Sequence, residues 1–227
     1  MLKALLNLFF PRLCNGCNAL LLNNEVIICV KCRHELPLTY HHQIPNNEIM
    51  TKFYGILPLE QANAMLYFHA EGIVQELIHN LKYRKQQEIG SLLGNMYAYQ
   101  LKESNKVPNV DFIIPTPIHK KRLQQRGYNQ VTTFCNALSN ELQIPVESEL
   151  LFRTKHTSSQ TKKTGAKRSE IKARDFEIKY KDHHMGKHYL LVDDVITSGA
   201  TIEACAKALL TIPESKVSIL SIAYTQS

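Results

Sequence analysis

The chain has 227 residues, 44% of them hydrophobic and 21% charged, the composition of an ordinary soluble globular protein with one large domain or a domain plus a small module. No stretch approaches the roughly 20 apolar residues of a membrane-spanning helix, so membrane insertion is not expected. The formal charge of +7 is uneven: eight Lys and Arg lie between Arg153 and Arg174 beside a single acid, Glu170, and the remainder of the chain is neutral. The basic character is therefore local, and it is aimed at something anionic.

Met1 to Phe10 carries Leu2, Leu5, Leu6 and Phe9 at the spacing of a short amphipathic helix. Pro11-Arg12-Leu13-Cys14 follows, which supplies neither a small-residue cleavage site nor the small residues expected before a lipidated cysteine. The cytoplasm, with reduced thiols, is the expected compartment. Cys14-x-x-Cys17 and Cys29-x-x-Cys32 are separated by eleven residues, the spacing of two knuckles converging on one tetrahedral metal ion. Four thiolates leave no open coordination position, which points to structural Zn²⁺; a pair of redox disulfides is the competing reading. Asn15-Gly16 reads as the first knuckle's turn, and Val26-Ile27-Ile28 as a short strand entering the second. Pro37 to Glu48, with His41 and His42, reads as a solvated linker. Residues 1–48 thus form a zinc module with its linker, and 49–227 the main domain.

Thr51 to Leu57 and Ala64 to Phe68 read as strands. Helices are expected over Gly72 to Tyr83, through Ile73, Leu77, Ile78 and Leu81, and over Gln87 to Glu103, through Ile89, Leu92, Leu93, Met96 and Tyr97. Val110 to Ile114 is a strand halted by Pro115-Thr116-Pro117. From His119 to Gln130 the chain is basic and carries no acid, and a helix follows with Val131, Phe134, Cys135, Leu138 and Leu142 inward. A basic loop between strand and helix suits a pyrophosphate. Lys120 and Lys121 are free to point outward, whereas Arg122, Arg126 and Asn129 are the better ligand contacts, because Arg grips phosphate oxygens in pairs.

Glu149 to Arg153 and Phe176 to Ile178 read as strands around a long hydrophilic loop, His156 to Arg174, the length of a functional lid. His183-His184 reads as a solvated turn. Tyr189 to Ile196 is an apolar run interrupted by Asp193 and Asp194. It leads through Thr197, Ser198 and Gly199 into a helix with Ile202, Cys205, Ala206 and Leu209 on one face, closed by Pro213. Strand, turn and helix N-terminus in that order form an anion site, to which Thr197, Ser198 and Thr201 add hydroxyls and Gly199 a close backbone approach. Two carboxylates beside a phosphate cradle suit a ligand with hydroxyls next to its phosphate, such as a ribose 5-phosphate. Lys216 to Tyr224 is the last strand. Cys135 and Cys205 fall on inward helix faces and read as core. Strands alternating with helices give an α/β fold, a parallel-rich sheet covered on both faces, with ligands at the strands' C-terminal ends.

The Tyr189–Thr201 pattern resembles the phosphoribosyl pyrophosphate (PRPP) motif of type I phosphoribosyltransferases. That resemblance implies that Asp193 and Asp194 hold the ribose hydroxyls and that Val195, Ile196, Thr197, Ser198, Gly199, Ala200 and Thr201 form the 5-phosphate loop, with Ser198 where a second Thr is common. Leu81-Lys82-Tyr83, Pro115-Thr116-Pro117, Arg122, Arg126-Gly127-Tyr128-Asn129-Gln130 and the four cysteines, in that setting, resemble the ComF family of competence-associated, phosphoribosyltransferase-like proteins. This implies that Lys82, Thr116, Pro117, Arg122, Arg126 and Asn129 face the pyrophosphate, with Mg²⁺ accompanying PRPP. Gln160 and Arg168 match recurrent positions of a mobile loop, but Ile171 stands where an Asn is usual. The resemblance also implies a part in DNA uptake during natural transformation, with single-stranded DNA and competence-machinery proteins as partners. Two functions compete: ribose 5-phosphate transfer to an acceptor the sequence does not identify, and non-catalytic binding of single-stranded DNA or nucleotide.

Overall fold

The computed structural model describes residues 11–154 and 175–226. The expected N-terminal helix, the loop positions Gln160 and Arg168, and Ile171 lie outside them. Four strands form one sheet: β1 (Leu59–Tyr67), β2 (Phe112–Pro115), β5 (His188–Ile196) and β6 (Lys216–Tyr224), in the order β1-β6-β5-β2 and parallel throughout. The antiparallel pair β3 (Leu151–Arg153) and β4 (Phe176–Ile178) stands apart from it. The helices are α1 (Val30–His34), α2 (Glu48–Phe53), α3 (Ile73–Tyr83), α4 (Glu88–Glu103), α5 (Lys120–Arg126), α6 (Thr132–Leu142) and α7 (Ala200–Leu209). The expected α/β architecture with a parallel sheet is the one the chain adopts.

Successive side chains of a strand point to opposite faces of its sheet, and β5 buries both sets. Leu190 and Val192 enter a core with Leu77, Leu81, Leu93 and Phe134 from α3, α4 and α6. Tyr189 and Leu191 enter a second core with Phe53, Phe176, Ile202 and Leu209, on the side of α2, α7 and the β3–β4 pair. Both faces of β5 are therefore dry, which is why its sequence is an unbroken apolar run. When the run reaches Asp193 and Asp194, the same alternation directs the two carboxylates to opposite faces of the sheet at its C-terminal edge. Cys135 and Cys205 are fully buried, as expected of core thiols.

Four local expectations are corrected. Residues 51–57 are not a strand, because Asn47 caps α2 instead, its Oδ1 accepting from Ile49 N at 3.0 Å and Met50 N at 3.1 Å. Residues 26–28 make no strand either. Glu25 gathers the loop by accepting from Leu22 N and Val30 N, both at 2.7 Å, and the Ile27 carbonyl accepts from Asn15 N. The 37–48 segment is no solvated linker: His41 is 1% exposed and packs edge-on against Tyr67, while Thr39 donates its hydroxyl to the Ala64 carbonyl. His184 is likewise buried, against Phe112. In each case a polar group found a backbone partner or an aromatic wall, which pattern alone does not reveal.

Candidate functional site

At the C-terminal edge of the sheet, β5 turns through Thr197 and Ser198 to Gly199, whose φ of 83° places it in the left-handed region at the N-cap of α7. The N-cap glycine has no side chain to cap this helix, and the first amide, Ala200 N, makes only a long 3.5 Å bond to Ser198 Oγ, which an anion can replace. A Cβ on Gly199 would lie 2.8 Å from Cζ of Phe53 and 3.5 Å from Cε of Lys52. The first turn of α7 is thus roofed by α2, in the region the sequence suggested was a strand.

Asp193 and Asp194 are both buried. Each accepts the amide of the residue after it, Asp194 N at 2.9 Å and Val195 N at 2.7 Å. Asp194 Oδ2 also receives Lys82 Nζ at 2.8 Å and Gln130 Nε2 at 2.7 Å. Gln130 Oε1 accepts from Arg126 Nη1 at 2.6 Å, and the Arg126 guanidinium lies 5.1 Å over the Tyr83 ring. Burial and the neighbouring Asp194 charge push the Asp193 carboxyl above the usual carboxylate range, and Lys82 and Arg153 only partly oppose them. Asp194 is therefore met by three donors, while Asp193 has a raised proton affinity.

The basic segment after β2 is helical as α5, with the His119 ring capping Lys121 N at 3.2 Å and Gly127 (φ 80°) ending it. That winding sets Arg122 and Arg126 a turn apart. With Lys82, Tyr83, Lys85, Gln125 and Tyr128 they line a pocket of about 210 Å³. Tyr128 donates its hydroxyl to the Leu81 carbonyl, which ties the turn after α5 to the end of α3. Lys120 and Lys121 are exposed, as expected.

Other residues singled out from the sequence fall elsewhere. Thr116 is buried and its hydroxyl donates to Val192 O at 2.8 Å; Asn129 Nδ2 donates to Thr116 O at 2.9 Å. These two hold the turn before α6 against β2. Pro117 and Asn129 line a separate cleft of about 630 Å³ that also includes Phe152 and Arg153. Sequence reasoning assigned no role to Gln130, Lys85 or Phe53. Gln130 belongs to the Arg126–Gln130 motif, but nothing local signals that its amide reaches Asp194.

The four cysteines converge. Their Sγ atoms lie within 4.8 Å of one another, with Cys17 and Cys29 3.7 Å apart. Zn–S bonds of ~2.3 Å in a tetrahedron place sulfurs about 3.8 Å apart, so the set could hold such a metal ion. Cys14 Sγ accepts from Gly16 N and Cys29 N, and Cys29 Sγ from Cys32 N, bonds that stabilise thiolate ligands. The cluster sits on α3: Asn80 Nδ2 donates to Asn15 O at 2.9 Å, and a Cβ on Gly16 would lie 2.9 Å from Ile73. Among the described residues, no helix is long and apolar enough to cross a membrane.

No family model matches the chain. DNA utilization protein YhgH of Shigella flexneri is 31% identical to it over 137 residues, 59% of this chain and 60% of that protein. Competence protein ComFC of Bacillus subtilis is 27% identical over 201 residues, 88% of this chain and 78% of that one. Its homologues are named for DNA utilization and competence. The expected resemblance to ComF proteins is borne out by those names, though the chain spans only about 60% of the length of the YhgH relatives it matches. Among solved structures, adenine phosphoribosyltransferase of Saccharomyces cerevisiae superposes with a TM-score of 0.38 at 17% identity, covering 63% of this chain and 72% of that one. A likeness that distant carries no argument about the site.

Proposed function

We propose that the chain binds PRPP and transfers its ribose 5-phosphate to an acceptor with release of pyrophosphate. The observation that carries this reading is the pocket lined by Lys82, Arg122 and Arg126, which is tied directly to Asp194 at the mouth of the sheet. In this arrangement the 5-phosphate takes the N-terminal amides of α7, displacing the long Ala200 N to Ser198 Oγ bond, and the hydroxyls of Thr197, Ser198 and Thr201. The ribose hydroxyls face Asp193 and Asp194, and the pyrophosphate enters the basic pocket. Mg²⁺, when bound with PRPP, would neutralise pyrophosphate charge. The bond from the anomeric carbon to pyrophosphate breaks with its electron pair on the leaving oxygen, the acceptor's lone pair forms the new bond, and the acceptor loses a proton. Lys82, Arg122 and Arg126 stabilise the departing charge, and no covalent nucleophile is required. In the four-thiolate cluster Zn²⁺ serves as a structural ion. A reducing compartment keeps such thiols free to bind the ion, which supports a cytoplasmic location.

The names of the homologues support a role in DNA uptake, with single-stranded DNA and competence-machinery proteins as partners. One observation favours a second, non-catalytic reading. Tyr83 is 65% exposed beside Lys85, Arg122 and Arg126, a combination of stacking surface and cations suited to a nucleotide strand. Calorimetry with PRPP and Mg²⁺ separates the two. The transferase reading expects saturable binding that disappears in Asp193→Asn/Asp194→Asn, together with pyrophosphate release when a panel of bases and amines is offered. Salt-sensitive single-strand binding in a protein that ignores PRPP would leave only the second reading.

A further inference from the structure

Gln130 stands between the two halves of the site. It is 6% exposed, and its amide is engaged at both ends: Oε1 accepts from Arg126 Nη1 at 2.6 Å, and Nε2 donates to Asp194 Oδ2 at 2.7 Å. Rotating the amide would face its oxygen to a carboxylate and its NH₂ to a guanidinium, so the two charges fix its orientation. A closed ring of contacts results. Lys82 pairs with Asp194, Asp194 with Gln130 and Gln130 with Arg126; Arg126 lies over Tyr83, which follows Lys82 in α3.

We propose that Gln130 is a positioning residue that couples the pyrophosphate half of the site to the ribose half, so that filling the basic pocket frees Asp194 for ribose hydroxyls. The proposal rests on the reading of this site as one for PRPP. Without ligand, Asp194 Oδ2 is taken by Lys82 and Gln130, and Oδ1 by the Val195 amide. A pyrophosphate competes for both cations, because charge-assisted bonds to phosphate oxygens are stronger than a bond to a neutral amide. Once Arg126 leaves Oε1, the Gln130 amide is anchored only at its Asp194 end, so it yields that carboxylate more readily to a ribose hydroxyl as Lys82 is drawn to the phosphate. The Asp194 oxygens then accept from hydroxyls. The coupling is positive, although simple repulsion between two anionic ligands would make it negative.

The test is calorimetry on the full chain, titrating ribose 5-phosphate with and without saturating magnesium pyrophosphate. In the wild type, pyrophosphate should tighten ribose 5-phosphate by at least about fivefold, the low end of ordinary coupling between sites. Gln130→Leu keeps the approximate volume without the polar atoms. It should retain each ligand alone within about threefold, less than 1 kcal/mol, while the tightening shrinks to the part that Lys82 transmits directly to Asp194. A purely structural Gln130 would lower the thermal midpoint and both affinities but leave the tightening intact in the Leu variant, and that result overturns the proposal. Gln130→Glu keeps the acceptor for Arg126 but opposes Asp194 with a carboxylate, so it should weaken ribose 5-phosphate more than pyrophosphate; equal weakening also counts against the coupling. If the wild type binds neither ligand, the PRPP reading itself fails. If it binds both without tightening, only the coupling fails.

Discussion

Replacing Lys82 by Met should cost more stability than neutralising its partner, although both changes break the same ion pair. Lys82 Nζ lies 2.8 Å from Asp194 Oδ2, with the Lys side chain 20% and the Asp side chain 10% exposed. At that separation and an effective dielectric constant of about 20, the gross attraction is about 6 kcal/mol, most of it offset by the desolvation of both ions. Methionine retains the packing of the stem, so the loss is mainly electrostatic. Asp194 cannot leave β5, and Lys82→Met strands its charge with two neutral donors, Gln130 and the Val195 amide. Removing one partner of a fully buried pair costs about 3–5 kcal/mol; with two donors remaining, about 2–3 kcal/mol is expected here. Asp194→Asn instead leaves a cation on a flexible chain at the edge of an open pocket, where it can swing to water, so about 1 kcal/mol or less should be lost. For a chain of this size the midpoints should fall by roughly 5–10 °C and less than about 4 °C, respectively. Thermal unfolding followed by far-ultraviolet circular dichroism, supported by urea titration, measures both. Equal losses, or a neutral Lys82→Met, would refute the idea that Asp194 is the partner unable to reach solvent.

Two other outcomes are set by the same geometry. Asp193 is pushed above the usual carboxylate range by burial and by Asp194, with Lys82 and Arg153 opposing and the Cys135 and Cys205 thiols also nearby. The folded state therefore holds that proton more tightly than the unfolded chain, and stability falls as pH rises from the ordinary carboxylate value, near ~4, through the raised one. Asp193→Asn should flatten this decline and stabilise the protein in alkaline buffer by at least about 1 kcal/mol, one pKa unit's worth; an unchanged pH profile would show that another group carries the decline. Gly199→Ala should lose about 2–3 kcal/mol in urea unfolding, from a left-handed backbone and a Cβ 2.8 Å from the buried Phe53 ring. Phe53→Leu should lower that cost, and a cost that is the same with Leu at position 53 would exclude Phe53 as its source.

Much of the site could be read locally. The uncharged run of β5, the acid pair that ends it and the small hydroxylated turn lie within thirteen consecutive residues, so a buried strand feeding a helix N-terminus is written into one window. The paired cysteines were equally legible, because two Cys-x-x-Cys turns are a typical way to bring four thiolates to one tetrahedral ion. The winding of the basic segment was not, since α5 buries no residue and has no apolar stripe to announce it.

What the sequence determined by itself was therefore each element's character: which strand is dry on both faces, which turn opens a helix N-terminus, which thiols belong together. The tertiary structure decided which elements meet. It placed α2 over Gly199, carried Lys82 to Asp194, and joined Gln130 to a carboxylate 64 residues away in sequence. Hydrophobic periodicity specifies the face an element buries, but a hydrogen bond between side chains on separate elements depends on the final packing of all of them, and no local pattern encodes that.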